Sequence, residues 1–342
     1  MLACLGAGSA CSQALGGVLA DRAGRRRTMV LGLCSSAATL LAVGAATTLP
    51  ALCATATLYG LCLNLLRPAV NAALADLVPD RDRPRAYALN FWAINLGFAV
   101  ATPLGGFLAA RGYWTLFLLD AATSLGFALL VLRGVPETRP APHEDDVVGT
   151  LRDVLRDRLM LALVAGCALQ AVVYLQAFST LPLVFDQDGL SPGDYGLALG
   201  LNGVLIVVLQ PLLLGLLAGR ARGRLLLLAM VLQGAGFGLH GLAGTVGQHA
   251  GAVVVWTVGE VLQAGLLSAV VAGLAPVHLR GRYMGAFGVS FGVAGAIAPL
   301  AGTQVLAHAG QGALWGSCVV ASLVSGVALM RVSDAAALRP AR

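Results

Sequence analysis

Eleven long, almost uninterrupted apolar stretches alternate with short polar breaks along this chain, at residues 1–20, 28–48, 51–75, 89–110, 114–132, 159–184, 195–218, 225–244, 251–275, 284–307 and 313–330. A helix needs about 20 mostly apolar residues to cross a hydrocarbon layer of roughly 30 Å, so each stretch predicts one membrane span. The pattern therefore predicts an all-α membrane protein of about 11 transmembrane helices. The longest polar interval, 133–158, carries Pro136, Pro140, Pro142 and the acidic run Glu144-Asp145-Asp146. It divides the chain into a bundle of five spans over 1–132 and a bundle of six over 159–331, with a tail at 332–342. Within the interval, Val147, Val148, Leu151, Val154 and Leu155 share one helical face, opposite Arg152, Asp153, Arg156 and Asp157. That pattern favours an interfacial amphipathic helix coupling the halves over a solvated linker.

Charge placement gives the sidedness. Twenty of the 22 basic residues, all arginine, fall in one set of alternate loops or in the tail; Arg111 lies in the opposite set and Arg67 inside a span. Positively charged loops stay on the cytoplasmic side. The C-terminus is thus expected in the cytoplasm, and the arginine-only usage with abundant alanine and glycine suggests a bacterial cytoplasmic membrane. Residues 1–20 lack a basic leading region, which argues for a true span over a cleaved signal peptide.

Composition excludes the other broad classes. With 58% hydrophobic and 11% charged residues, the chain has less than half the charge a soluble domain devotes to its surface. The net charge of +6 comes without the interleaved aromatics of a nucleic-acid interface, so no nucleic-acid partner is expected. Cys4, Cys11, Cys34, Cys53, Cys62, Cys167 and Cys318 lie in apolar runs without metal spacing, and the five histidines are scattered. Neither a metal nor a cofactor is expected. Gly288-Val289-Ser290-Phe291-Gly292 and Gly236-Phe237-Gly238-Leu239-His240-Gly241 match hydrolase and dinucleotide patterns, but both fall inside predicted membrane helices, where those patterns have no strand to follow.

A weak internal repeat runs through the halves. At an offset of 196, Tyr87 falls on Tyr283 and Pro103 on Pro299; at 197, Ala75-Asp76-Leu77-Val78-Pro79 meets Ala272-Gly273-Leu274-Ala275-Pro276; at 198, Gly17 meets Gly215. Parallel repeats in a multispan chain point to a transporter with its substrate site between two bundles.

The segment Gly17-Val18-Leu19-Ala20-Asp21-Arg22-Ala23-Gly24-Arg25-Arg26-Arg27 matches G-x-L-A-D-R-x-G-R-R/K, and through it the chain resembles the major facilitator superfamily across essentially its whole length. Gly215 to Arg224 is a degenerate second copy without the aspartate. The resemblance implies the two-bundle fold, with Asp21 latching the cytoplasmic side closed against nearby arginines and the start of the span at Tyr283 to Gly285. Gly17, Arg22, Gly24, Arg25 and Arg26 complete that gate motif. It also places the first stretch in the family's second position, one helix short of the usual twelve, with the N-terminus outside.

Three ionisable residues lie well inside spans: Arg67, Asp120 and Glu260. Each costs roughly 2.5 to 3.5 kcal/mol near a helix centre on an insertion scale, so each is expected to face a polar cavity or another charge. Asp120 and Glu260 are the candidate proton carriers, with static polar contacts as the alternative. Arg67 sits where the family's fourth-helix arginine stands, which the resemblance links to proton coupling. Gly97, Pro103, Gly105 and Gly106 resemble the family's fifth-helix antiporter motif, with Thr102 in place of a glycine; Pro299 is the repeat partner of Pro103. Asn64, Asn95, Tyr174, Gln176, Asn202, Gln210 and Gln263 are in-span polar residues, either lining the substrate cavity or joining helices.

Together these imply a monomeric secondary transporter, not an enzyme, that exchanges a small lipophilic or drug-like compound for protons in the manner of the drug:proton antiporter group. Import of a small solute and an inactive or regulatory remnant stay open as alternatives.

Overall fold

The computed structural model describes residues 1–79, 82–110, 112–138, 156–217, 220–275 and 280–338. Its regular elements are all helical: α1 (Leu2–Ala23), α2 (Arg25–Ala45), α3 (Leu49–Leu63), α4 (Leu66–Leu77), α5 (Arg83–Ala109), α6 (Tyr113–Gly134), α7 (Arg158–Tyr174), α8 (Gln176–Ser179), α9 (Leu181–Gln187), α10 (Pro192–Leu217), α11 (Arg222–Leu239), a 3₁₀ turn (His240–Leu242), α12 (Val246–Gln263), α13 (Leu266–Leu274) and α14 (Arg280–Ala337). The expected amphipathic helix at 147–157 falls largely outside the described residues.

Several starts follow from local chemistry. Ser191 and Asp194 cap α10 reciprocally: the Ser191 N–H donates to Asp194 Oδ2 at 2.8 Å and the Asp194 N–H to Ser191 Oγ at 3.2 Å, satisfying helix donors that would otherwise lack partners. Asp157 caps α7, accepting from the N–H groups of Leu159 and Met160 at 3.0 and 3.3 Å.

Among the described residues, nine stretches are long and apolar enough to cross a membrane, against eleven expected. The difference lies at the two ends of the chain. α1 has the length, 22 residues, but is not one of the nine. The final stretch, Gly285–Ala337, is 53 residues long and contains Gly310 at φ 77°, ψ 179°, a conformation open essentially to glycine alone. The chain folds back there. Ala298 O accepts from Gln176 Nε2 at 3.1 Å and Ser325 Oγ donates to Gly166 O at 2.8 Å. A straight helix would separate Ala298 from Ser325 by about 40 Å, whereas Gly166 and Gln176 lie only about 15 Å apart along theirs.

The chain forms two compact units: Met1–Ile94 with Phe107–Asp146, and Asn95–Gly106 with Val147–Arg342. The middle of α5 thus packs with the second unit, where the sequence pattern had put all of 1–132 in one bundle. In the first unit, Ala20, Met29, Leu33, Ala69, Ala73, Ala128 and Val131 form the core. In the second, Met160, Leu163, Met230 and Leu329 fill one end, and Phe185, Phe237, Trp256 and Trp315 the other.

Candidate functional site

Among the described spans, Arg158–Gln187 is broken at Leu175 and Thr180, and two others are interrupted at corresponding places in the two halves. The third span breaks at Asn64-Leu65, between α3 and α4, and its partner in the second unit breaks at Ala264-Gly265, between α12 and α13. Pro68 lacks the N–H that would continue the first helix, and Gly265 takes φ 77°. Asn64 and Arg67 flank the first break; Glu260 and Gln263 precede the second. These two i, i+3 pairs are related by the same offset of 196 that aligns Tyr87 with Tyr283. Interrupted helices at corresponding places in two halves free backbone groups within the membrane and are where transporters build their sites.

Glu260 anchors a hydrogen-bonded cluster in the second unit. Asn202 Nδ2, from α10, donates to Glu260 Oε2 at 2.8 Å and to Thr257 Oγ1 at 3.0 Å. Thr257 gives its own proton to Val253 O at 2.6 Å, so its oxygen can only accept toward Asn202. The Tyr174 hydroxyl also bonds Glu260. The Tyr174 ring stands edge-on to Trp256, at 6.1 Å, and to Phe178, at 5.6 Å, which in turn meets Phe98 at 6.0 Å. A half-buried carboxylate with oriented donors therefore sits beside an aromatic wall. Thr257 belongs to this cluster and the sequence reading passed over it.

The other predicted residues are placed as follows. Arg67 is exposed, with no hydrogen bond or ion pair to a described residue. Asp120 is exposed on α6, within electrostatic reach of Tyr59 on α3. Gln176 is buried and spends its amide on protein: Nε2 donates to Val172 O and Ala298 O, and Oε1 accepts from Thr180 at 3.0 Å. It joins α8 to α14. Asn95 is buried, while Asn64, Gln210 and Gln263 are half-buried, and Gln263 Oε1 has no partner among the described residues. The structure brings Glu260, Asn202 and Tyr174 together; Arg67 and Asp120 belong to the other unit.

The arginine-rich turn is built around Gly24, whose φ of 101° suits glycine and lets α2 start immediately after α1. The Glu137 carboxylate caps α2: Oε1 accepts from the Arg26 N–H at 3.1 Å and Oε2 from the Arg27 N–H at 3.2 Å. A negative group there offsets the positive helix end. Arg25, nearly buried, donates through Nε to Asp76 Oδ2 at 3.2 Å, so the turn ties together α2, α4 and the end of α6. In the second unit the Asp334 carboxylate, near the end of α14, lies close to Gly223 at the start of α11. Neither Glu137 nor Asp334 was singled out in the sequence. The side chain of Asp21 lies outside the described set, and Gly17 has no described surroundings; Arg22 is exposed. Tyr283 donates to Asp157 Oδ2 at 3.0 Å within the second unit. Replacing Glu137 by Ala is expected to cost about 1 kcal/mol of stability through the lost cap, read as an earlier thermal unfolding midpoint in detergent.

The antiporter-like segment makes a backbone seam with α10. A Cβ on Gly196 would meet Thr102 O at 2.8 Å, and one on Gly200 would meet Pro103 Cγ at 2.6 Å; Gly106 faces Pro192 and Gly193. Gly97 has open space around it, Gly105 is half-buried, and Pro299 lies within α14, its carbonyl accepting from Thr303 Oγ1.

A family model described as Major Facilitator Superfamily matches residues 1–299 and 184–341. The chain belongs to the major facilitator superfamily. This facilitator is 24% identical over 327 residues to the Na(+), Li(+), K(+)/H(+) antiporter of Planococcus maritimus, covering 85% of this chain and 77% of that one. It is 30% identical over 226 residues to the multidrug transporter MdfA of Edwardsiella ictaluri, covering 63% and 53% respectively. Among solved structures, a POT family transporter in complex with a thioalcohol-conjugated peptide superposes with a TM-score of 0.80 at 16% identity, over 98% of this chain and 87% of that one. The chain is a multi-pass membrane transporter and not an enzyme.

Proposed function

We propose that this facilitator is a proton-coupled exporter of small lipophilic compounds, working by alternating access from a bacterial cytoplasmic membrane with its arginine-rich loops and C-terminus inside. The observation that carries this reading is Glu260, a carboxylate within a span, beside a helix break and held by Asn202 and Tyr174. Protonation removes its charge and turns one of its two oxygens into a donor, which rearranges the bond to Asn202. A proton and a substrate can therefore act on the same group and bias two states of one protein.

The partly exposed rings of Tyr174, Phe178 and Phe98, backed by the buried Trp256, supply apolar contact suited to a lipophilic compound, with few groups for a sugar. Asp120 is the second candidate carrier, Arg67 a modulator of the exchange, and Asp21 the gate residue. One relative is named as a cation/proton antiporter and another as a multidrug transporter, which supports this reading. Half-buried Asn64, Gln210 and Gln263 are further cavity candidates.

Purified protein in vesicles, given an imposed pH gradient and a fluorescent lipophilic dye, is expected to move dye against its gradient as protons flow the other way. Dye movement indifferent to the pH gradient and to protonophore would defeat the reading.

A further inference from the structure

At the end of the second unit away from Arg222, two buried histidines and an aspartate form a continuous chain of contacts. His240 follows α11 in the 3₁₀ turn, His249 lies in the first turn of α12, and Asp188 closes α9. His240 Nδ1 and His249 Nδ1 are 2.9 Å apart, and His249 Nε2 is 3.0 Å from Asp188 Oδ2. Both imidazoles are fully buried, and the Asp188 side chain is 17% exposed. The rings stack at 5.2 Å, with Phe185 against His249 at 4.3 Å and Trp315 against His240 at 5.4 Å.

Hydrogen counting fixes what this arrangement can hold. A neutral imidazole has one donor nitrogen and one acceptor nitrogen. The carboxylate requires His249 Nε2 to carry hydrogen, so in a neutral pair His249 Nδ1 accepts and His240 Nδ1 donates. His240 Nε2 is then a bare lone pair. It has no partner among the described residues although fully buried, so one end of the chain is open to a proton.

We propose that Asp188, His249 and His240 form a proton-binding site separate from Glu260. One proton from solution bonds to His240 Nε2; the hydrogen on His240 Nδ1 crosses to His249 Nδ1; His249 becomes an imidazolium that donates to both Asp188 and His240. No electrons move, and the positive charge ends beside the carboxylate. Other ionisable groups on the surrounding elements are engaged elsewhere or face outward. Asp186 is exposed. Tyr195 donates to Ala177 O, Asp194 is held by Ser191, and His308 is exposed and bonded to Gln304 O.

Because Asp188 and His240 close α9 and α11 while His249 lies in the first turn of α12, uptake of this proton braces three helix ends at once with a charged pair. Glu260 lies on the same helix as His249 but eleven residues on, about 16 Å along the axis. The proposal is independent of which acid carries a transported proton.

The test is nitrogen NMR of the full chain labelled with ¹⁵N-histidine in lipid nanodiscs, titrated downward from about pH 8. At high pH one imidazole nitrogen is expected to be bare and buried, and one Nδ1–H to be shared between two rings. On acidification the bare nitrogen should gain hydrogen in a single-proton step. Asp188→Asn removes the charge that holds the imidazolium, so the midpoint should fall by about one pH unit or more. Histidines that all titrate independently, or a midpoint unmoved by Asp188→Asn, would overturn the site. The wild-type spectrum alone decides the first point should a variant not fold. Proton-driven dye transport with no such step would sink this site and leave the Glu260 reading standing.

Discussion

Glu260→Gln is expected to reduce proton-driven dye movement by about tenfold or more, because an amide cannot take up and release the proton that biases the two states. The substitution keeps the shape, and its amide oxygen can still accept from Asn202 Nδ2, so the cluster with Thr257 should survive. What is lost is the ability to take up and release a proton. Exchange of labelled for unlabelled dye at equal concentrations, which needs no net proton movement, should persist. Vesicle assays with and without a pH gradient separate these outcomes. Undiminished gradient-driven transport by Glu260→Gln would transfer the role to Asp120, the other in-span acid, and equal loss in both assays would mean that Glu260 serves binding or folding.

The second large effect is structural. Gly60→Leu should prevent the first unit from folding, because any side chain there is driven into the backbone of Leu5 in α1. The seam offers no relief: Gly8 on the facing helix lies equally close to the backbone of Thr57 and Leu61, and Ser9 Oγ donates to Gly60 O at 3.3 Å. Overpacking costs typically 1–3 kcal/mol even where side chains can shift, and backbone cannot shift without parting the helices. Small residues that let helices approach are a main source of packing force in lipid. Gly126→Ala, with nothing within 4 Å of the added carbon, is the control and should leave the size-exclusion profile unchanged. A monodisperse Gly60→Leu protein would refute the seam.

Most of the spans were legible because apolar length reports the solvent directly, and the arginine-rich turn because its spacing matches a known signature. What hydropathy does not report is the direction a side chain takes. Gln176 and Asn202 look alike in sequence, yet the first ties α8 to α14 while the second orients Glu260. The Asn64/Arg67 and Glu260/Gln263 pairs carried a usable signal in their shared offset, although the helix breaks beside them do not interrupt the apolar run. Asp188 is 61 residues from His249, so no local pattern could announce that contact, and the histidines read as scattered. Glu137 lies in the polar interval between the halves with nothing local to mark it; the sharp turn at Gly24 brings the start of α2 to it.

The reversal at Gly310 joins the last two helical arms through a single residue and no intervening loop. Such a joint has no slack to lengthen: an inserted epitope or an acquired binding segment there would have to be accommodated by the packed arms themselves. On this face of the protein, diversification is confined to side-chain replacement.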